Sequence, residues 1–134
     1  MIPLALMYLG TAAFFLAVDL VWIGLVANPF YQERLAAFLA PEVRWGAALL
    51  FYLVFVLGVM VFAALPALAA GSVTRAALLG GLLGLVAYGT FDLTCLALFR
   101  DFPVAVVVLD LAWGTAVTAA TAAAAFQLGR WLGV

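Results

Sequence analysis

The chain has 134 residues, 71% of them hydrophobic and 8% charged, with a formal net charge of −1 and one cysteine. Soluble domains run near 45–50% apolar and about 25% charged, and a small domain buries only about two-thirds of its chain area, so a water-soluble fold has nowhere to put this much apolar surface. The chain is therefore read as an integral membrane protein. Lysine and histidine are both absent, which removes the commonest metal ligand, the usual neutral-pH base and Schiff-base chemistry. Cys95 alone supplies neither a disulfide framework nor zinc spacing, and five arginines scattered singly make no nucleic-acid patch. No cofactor, no metal and no nucleic-acid partner is expected.

Residues 4–27 form a nearly unbroken apolar run, long enough to cross roughly 30 Å of hydrocarbon. A cleavable signal fits less well, because the run has no basic leader and carries Asp19. Asn28 and Pro29 read as the N-cap and first residue of a new piece. Residues 29–40 then place Tyr31, Leu35, Phe38 and Leu39 on one stripe, which predicts a short helix in the headgroup plane; a helical loop without membrane contact is the plainer alternative. Trp45 suits an interfacial anchor. A second span over 45–65 ends at Pro66, and residues 66–74 turn through Gly71 and Ser72. The third span, 75–99, carries a small-residue face of Gly80, Gly84 and Ala87 that lets a neighbouring backbone approach. Residues 100–103 make a tight polar connection to the fourth span, 104–131. The expectation is one all-α domain over 1–134, a four-transmembrane-helix bundle with a short interfacial helix between helices 1 and 2.

Three of these spans contain an aspartate: Asp19, Asp92 and Asp110. An ionisable residue in a span is costly and by default faces protein or trapped water. Successive spans alternate in direction, so depth is counted from the side that holds the 28–44 and 100–103 connections. At about 1.5 Å per helical residue, all three aspartates lie roughly 10–14 Å below that surface. Tyr52, the one strongly polar side chain of the second span, falls at the same level. Helical spacing sets Asp92 on a stripe with Tyr88 and Cys95, Asp110 with Trp113, Gly114 and Thr118, and Asp19 with Trp22. Arg44 and Arg100 stand at the nearer end, from which long side chains can snorkel inward. Three ionised carboxylates at one level would repel, so at least one is expected to keep its proton.

Several readings follow from that layer. Carboxyls can fasten spans through hydrogen bonds worth about 0.6–2 kcal/mol each, which suits a structural or assembly subunit of a membrane complex. They can line a proton path, for which four short helices would have to act as a dimer. They can also bind a ligand, with Asp19, Asp92 and Asp110 as polar contacts and Trp22, Tyr52, Tyr88, Trp113 and Thr118 shaping the site. Acid–base catalysis or a carboxylate-held cation is weakly signalled, since the aspartates sit on three helices and form no compact run; catalytic residues are not assigned.

The segments DLVW (19–22), FYQ (30–32), LFY (50–52), PALAAGS (66–72), GLVAYGTFDLT (84–94) and DLAWG (110–114) together resemble a family of small bacterial membrane proteins, domain of unknown function 2177. That resemblance implies a four-span inner-membrane protein without an assigned activity. Phe91 and Cys95 stand where the family pattern around the third-span aspartate has Tyr and Asn. The leading expectation is a protein of the bacterial inner membrane that binds or handles a lipid or small amphiphile, with residues 29–40 as a cover. Its partners would be membrane lipids, a second copy of the chain or a larger membrane complex. Positive charge is nearly even, with Arg75, Arg130 and the amino terminus on one side and Arg34, Arg44 and Arg100 on the other; cytoplasmic termini are the expectation.

Overall fold

Two prolines shape the first half of the chain, because proline offers no N–H to the carbonyl four residues back and crowds that carbonyl with its ring. The computed structural model describes residues 1–134 and is 85% helical with no strand. Helix α1, Ile2–Trp22, runs into a π-helical turn at Ile23–Ala27 and then straight into α2, Asn28–Arg34. The bond closing that turn runs from the Asn28 N–H to the Ile23 carbonyl, five residues back. The second span repeats the device: α3, Trp45–Val59, a π turn at Met60–Ala64, and α4, Leu65–Ala70, with the Leu65 N–H bonded to the Met60 carbonyl. In both, the carbonyl that proline would clash with, Leu25 or Phe62, lies inside the widened turn.

These turns correct two expectations. Asn28 does not cap a new helix; the residue is itself helical, and its side chain instead accepts a bond from Gln32 Nε2 at 3.3 Å. Nor does Pro66 stop the second span, which continues to Ala70. A proline is a terminator only where the helix cannot widen by one residue ahead of it. The short helix between the first two spans is therefore α2, joined to the first span and ending at Arg34, with residues 35–44 non-helical.

Gly71 closes α4 in the left-handed conformation, φ 65°, and Ser72 immediately caps α5, Val73–Leu98, by accepting the Arg75 N–H at 3.1 Å. Asp101, φ 59°, makes the next turn, as short polar side chains tolerate, and α6, Val104–Leu132, completes the chain. Four helical stretches are long and apolar enough to cross a membrane: Ile2–Arg34, Trp45–Ala70, Val73–Leu98 and Val104–Leu132. Only 30 of 134 residues are buried by protein, so most of the apolar surface is left for lipid to cover.

The tightest packing is between α5 and α6, where the small-residue face acts as expected. A Cβ on Gly84 would strike the Gly114 carbonyl, and one on Gly80 would lie 2.7 Å from the Thr118 carbonyl. Helix α1 lies against α6 and α3. Phe15, Phe55, Val117 and Phe126 fill the centre, with Phe15 and Phe55 ring centroids 5.2 Å apart.

Candidate functional site

The aspartate of α1 is held from two other helices. Tyr52 Oη on α3 donates to Asp19 Oδ2 at 2.6 Å, and Trp113 Nε1 on α6 donates to Asp19 Oδ1 at 3.3 Å. Both carboxyl oxygens thus have partners in a residue that is 9% exposed. The expected i+3 pairing of Asp19 with Trp22 is replaced by this arrangement. Trp22 stacks instead on Trp113, centroids 4.2 Å apart and planes within 5°, and its own Nε1 is enclosed without a hydrogen bond.

The other two aspartates form a second node. Asp92 on α5 is 2% exposed, its carboxyl is directed at that of Asp110 on α6, and its Oδ2 has no hydrogen-bond partner. Two facing carboxylates offer acceptors only, so a shared proton or an outside donor is what completes the pair. Asp110 is half-buried and receives one protein donor, Tyr31 Oη, at 2.9 Å to Oδ1. Tyr88 stands between the nodes, within electrostatic reach of Asp19, Asp92 and Asp110. Its ring lies flat against Gly114, where any Cβ would collide with it.

Tyr31 is the residue that sequence reasoning missed; it was assigned to an interfacial stripe. The signal lay in the spacing Trp22, Ala27, Tyr31. Steps of five and four keep one face only if a π turn supplies the longer step. In an unbroken α-helix each residue advances by about 100°, and Tyr31 would point elsewhere. Further along, Leu35 packs with Cys95 and Phe102, and Phe38 sits 5.5 Å from Phe102 and 6.0 Å from Phe99. The segment after the first span thus folds over this end of the bundle.

Two expectations about charge and contact change. Arg44 and Arg100 are exposed and make no ion pair with the aspartates; Arg34 covers the Phe30 ring at 3.9 Å. Thr118 is fully buried two turns along α6, against Gly84 rather than beside a carboxyl, with its hydroxyl unpaired. No group of three acidic or thiol side chains is arranged to hold a metal ion.

A cleft of about 370 Å³ opens beside Asp110 between α3, α5 and α6, lined by Phe51, Ala87, Tyr88, Phe91 and Asp110. Phe51 and Phe91 are 47% and 55% exposed, so its mouth faces the lipid side of the bundle rather than either end. A second, wholly apolar groove of about 250 Å³ runs along Val18, Val21, Trp22, Leu25, Val26 and Trp113.

The fold defines a four-span helical membrane protein, within which Asp19 is bonded to Tyr52 and Trp113, and Asp110 to Tyr31. The chain belongs to the family described as predicted membrane protein, DUF2177, whose model matches residues 4–127. No curated protein and no solved structure matches it.

Proposed function

We propose that the chain is a membrane-embedded binding protein for a lipid or small amphiphile, which enters the Asp110 cleft sideways from the bilayer. The observation that carries this reading is the composition of the cleft: apolar, lipid-facing rings at its mouth and a carboxylate incompletely satisfied by protein at its floor. Ligand sites are characteristically apolar cavities with a few placed polar groups. Asp110 serves as the polar contact, with the enclosed Asp92 behind it, Tyr88 as the wall and Tyr31 as a cover. Asp19 divides from them: with both oxygens already bonded to other helices, it supports the fastening role also considered for these acids. The bacterial inner membrane, with cytoplasmic termini, is the proposed location.

The test is photolabelling in nanodiscs with a single-tailed amphiphile that carries a diazirine near its head. Label should concentrate on peptides containing Phe51 and Phe91. Ala87→Leu, which fills the cleft and leaves every carboxyl in place, should cut that labelling by at least fivefold while sparing label elsewhere on the chain. Equal labelling of the two proteins at those peptides would refute the cleft as the site.

A further inference from the structure

Three of the five side chains around the cleft are aromatic: Phe51, Tyr88 and Phe91. Aromatic faces are negative and attract cations, more strongly once water is excluded. The fourth group that matters is a carboxyl, Asp110, and behind it lies the enclosed Asp92 with its unpartnered Oδ2. No cationic side chain balances them. Lysine is absent from the chain, and no arginine ion-pairs with either acid. Tyr31 supplies a single donor, to Asp110 Oδ1.

That inventory discriminates among head groups. A phosphate or sulfonate would bring more acceptors and more negative charge to a place that already has both in excess. A hydroxyl would bring one donor, without the charge that ring faces reward. A protonated primary amine brings three donors and a unit positive charge in a compact group. We infer that the cleft selects amphiphiles with a primary ammonium head and a single apolar tail. The head sits against Asp110 among the three rings, and the tail leaves past Phe51 and Phe91 into the bilayer. This rests on the binding function proposed above and names the chemical class of its ligand.

Octylammonium, 1-octanol and octanesulfonate share one tail and differ in the head. Their binding to the protein in nanodiscs of zwitterionic lipid can be followed through tryptophan fluorescence, with Ala87→Leu protein correcting for partition into lipid. Octylammonium should saturate the site at a concentration at least tenfold below that of octanol, and octanesulfonate should not bind. Asp110→Asn should bring the two dissociation constants together, whereas Glu42→Gln, which removes an exposed acid outside the cleft, should leave their ratio unchanged. Phe91→Ala alters only an exposed ring at the mouth and should weaken octylammonium by about threefold to tenfold with octanol little affected. This second variant decides the matter if Asp110→Asn protein does not fold. Equal saturable binding of octanol and octylammonium would overturn the head-group selectivity and leave the binding site standing. Absence of saturable binding by any of the three, with diazirine labelling also failing, would remove both.

Discussion

Tyr31 and Asp110, separated by 79 positions in the chain, are joined by a hydrogen bond of 2.9 Å from the phenol to Oδ1. The bond ties the end of the first span to the beginning of the fourth. It also places the non-helical segment that follows α2 above the acid pair. Because Tyr31 gives Asp110 its one protein donor, the bond both covers the carboxyl and leaves its other oxygen for something else.

Tyr31→Phe removes that donor without changing the ring. Interhelical bonds of this kind contribute about 0.6–2 kcal/mol, so the purified variant should unfold at slightly lower temperature in detergent yet remain folded. The more telling readout is local. A cysteine placed at Ala37, in a Cys95→Ser background, should react faster with a membrane-impermeant maleimide once Tyr31 is Phe. An unchanged rate would mean that the phenol does not hold this segment down.

Asp19→Asn and Asp19→Leu separate hydrogen bonding from charge. Asparagine still accepts from one of Tyr52 and Trp113; leucine accepts from neither and leaves two part-buried donors empty. Each unsatisfied group costs about 1–3 kcal/mol. Thermal unfolding in detergent should therefore rank wild type above Asn and Asn well above Leu. A leucine variant as stable as wild type would show that this node fastens nothing.

Gly84→Ala and Gly114→Ala should both disrupt the α5–α6 contact. The first drives a methyl into a backbone carbonyl; the second displaces the Tyr88 ring. The expected loss is on the order of the 1–3 kcal/mol typical of overpacking. Gly46→Ala, where nothing lies within 4 Å, serves as the comparison and should be neutral. Gly114→Ala should in addition impair labelling of the cleft, because Tyr88 forms its wall.

Orientation follows from chain topology once one point is fixed. Cysteines at Ser72 and Gln32, tested singly in the Cys95→Ser background, should respond oppositely to an impermeant thiol reagent applied outside intact cells. With cytoplasmic termini, Gln32→Cys is labelled and Ser72→Cys is protected. The reverse pattern would invert the protein and place the covered acid pair toward the cytoplasm.

The four spans were legible in the sequence, whereas the three aspartates expected on one layer divide into Asp19 with Tyr52 and Trp113, and Asp92 with Asp110. Apolar run length gives a span, and 1.5 Å per residue gives depth. Tyr52 was matched to the aspartate level on depth alone, and its 2.6 Å bond to Asp19 agrees with that count. What escaped notice involves departures from regular helix. A proline preceded by an uninterrupted apolar run looks like an ending, and only the i→i+5 bonds at Asn28 and Leu65 reveal that the helices pass through. The position of Tyr31 depends on that extra residue. Likewise, the i+3 rule placed Trp22 beside Asp19, but stacking of two indoles outcompeted it and gave the donor role to Trp113. The cleft gave no comparable signal, because its walls come from three different helices.

The close seam between α5 and α6 has a consequence for biogenesis. Those helices follow the first two spans in the chain, so during synthesis the first two spans wait in the bilayer before the half of the bundle with the tightest seam exists. In that interval Asp19 can be met by Tyr52 alone, since Trp113 has yet to be made. A nascent chain stalled after Ala70 should accordingly be extracted more readily by quality-control proteases than one that includes α6, whose emergence supplies both Trp113 and the seam with α5.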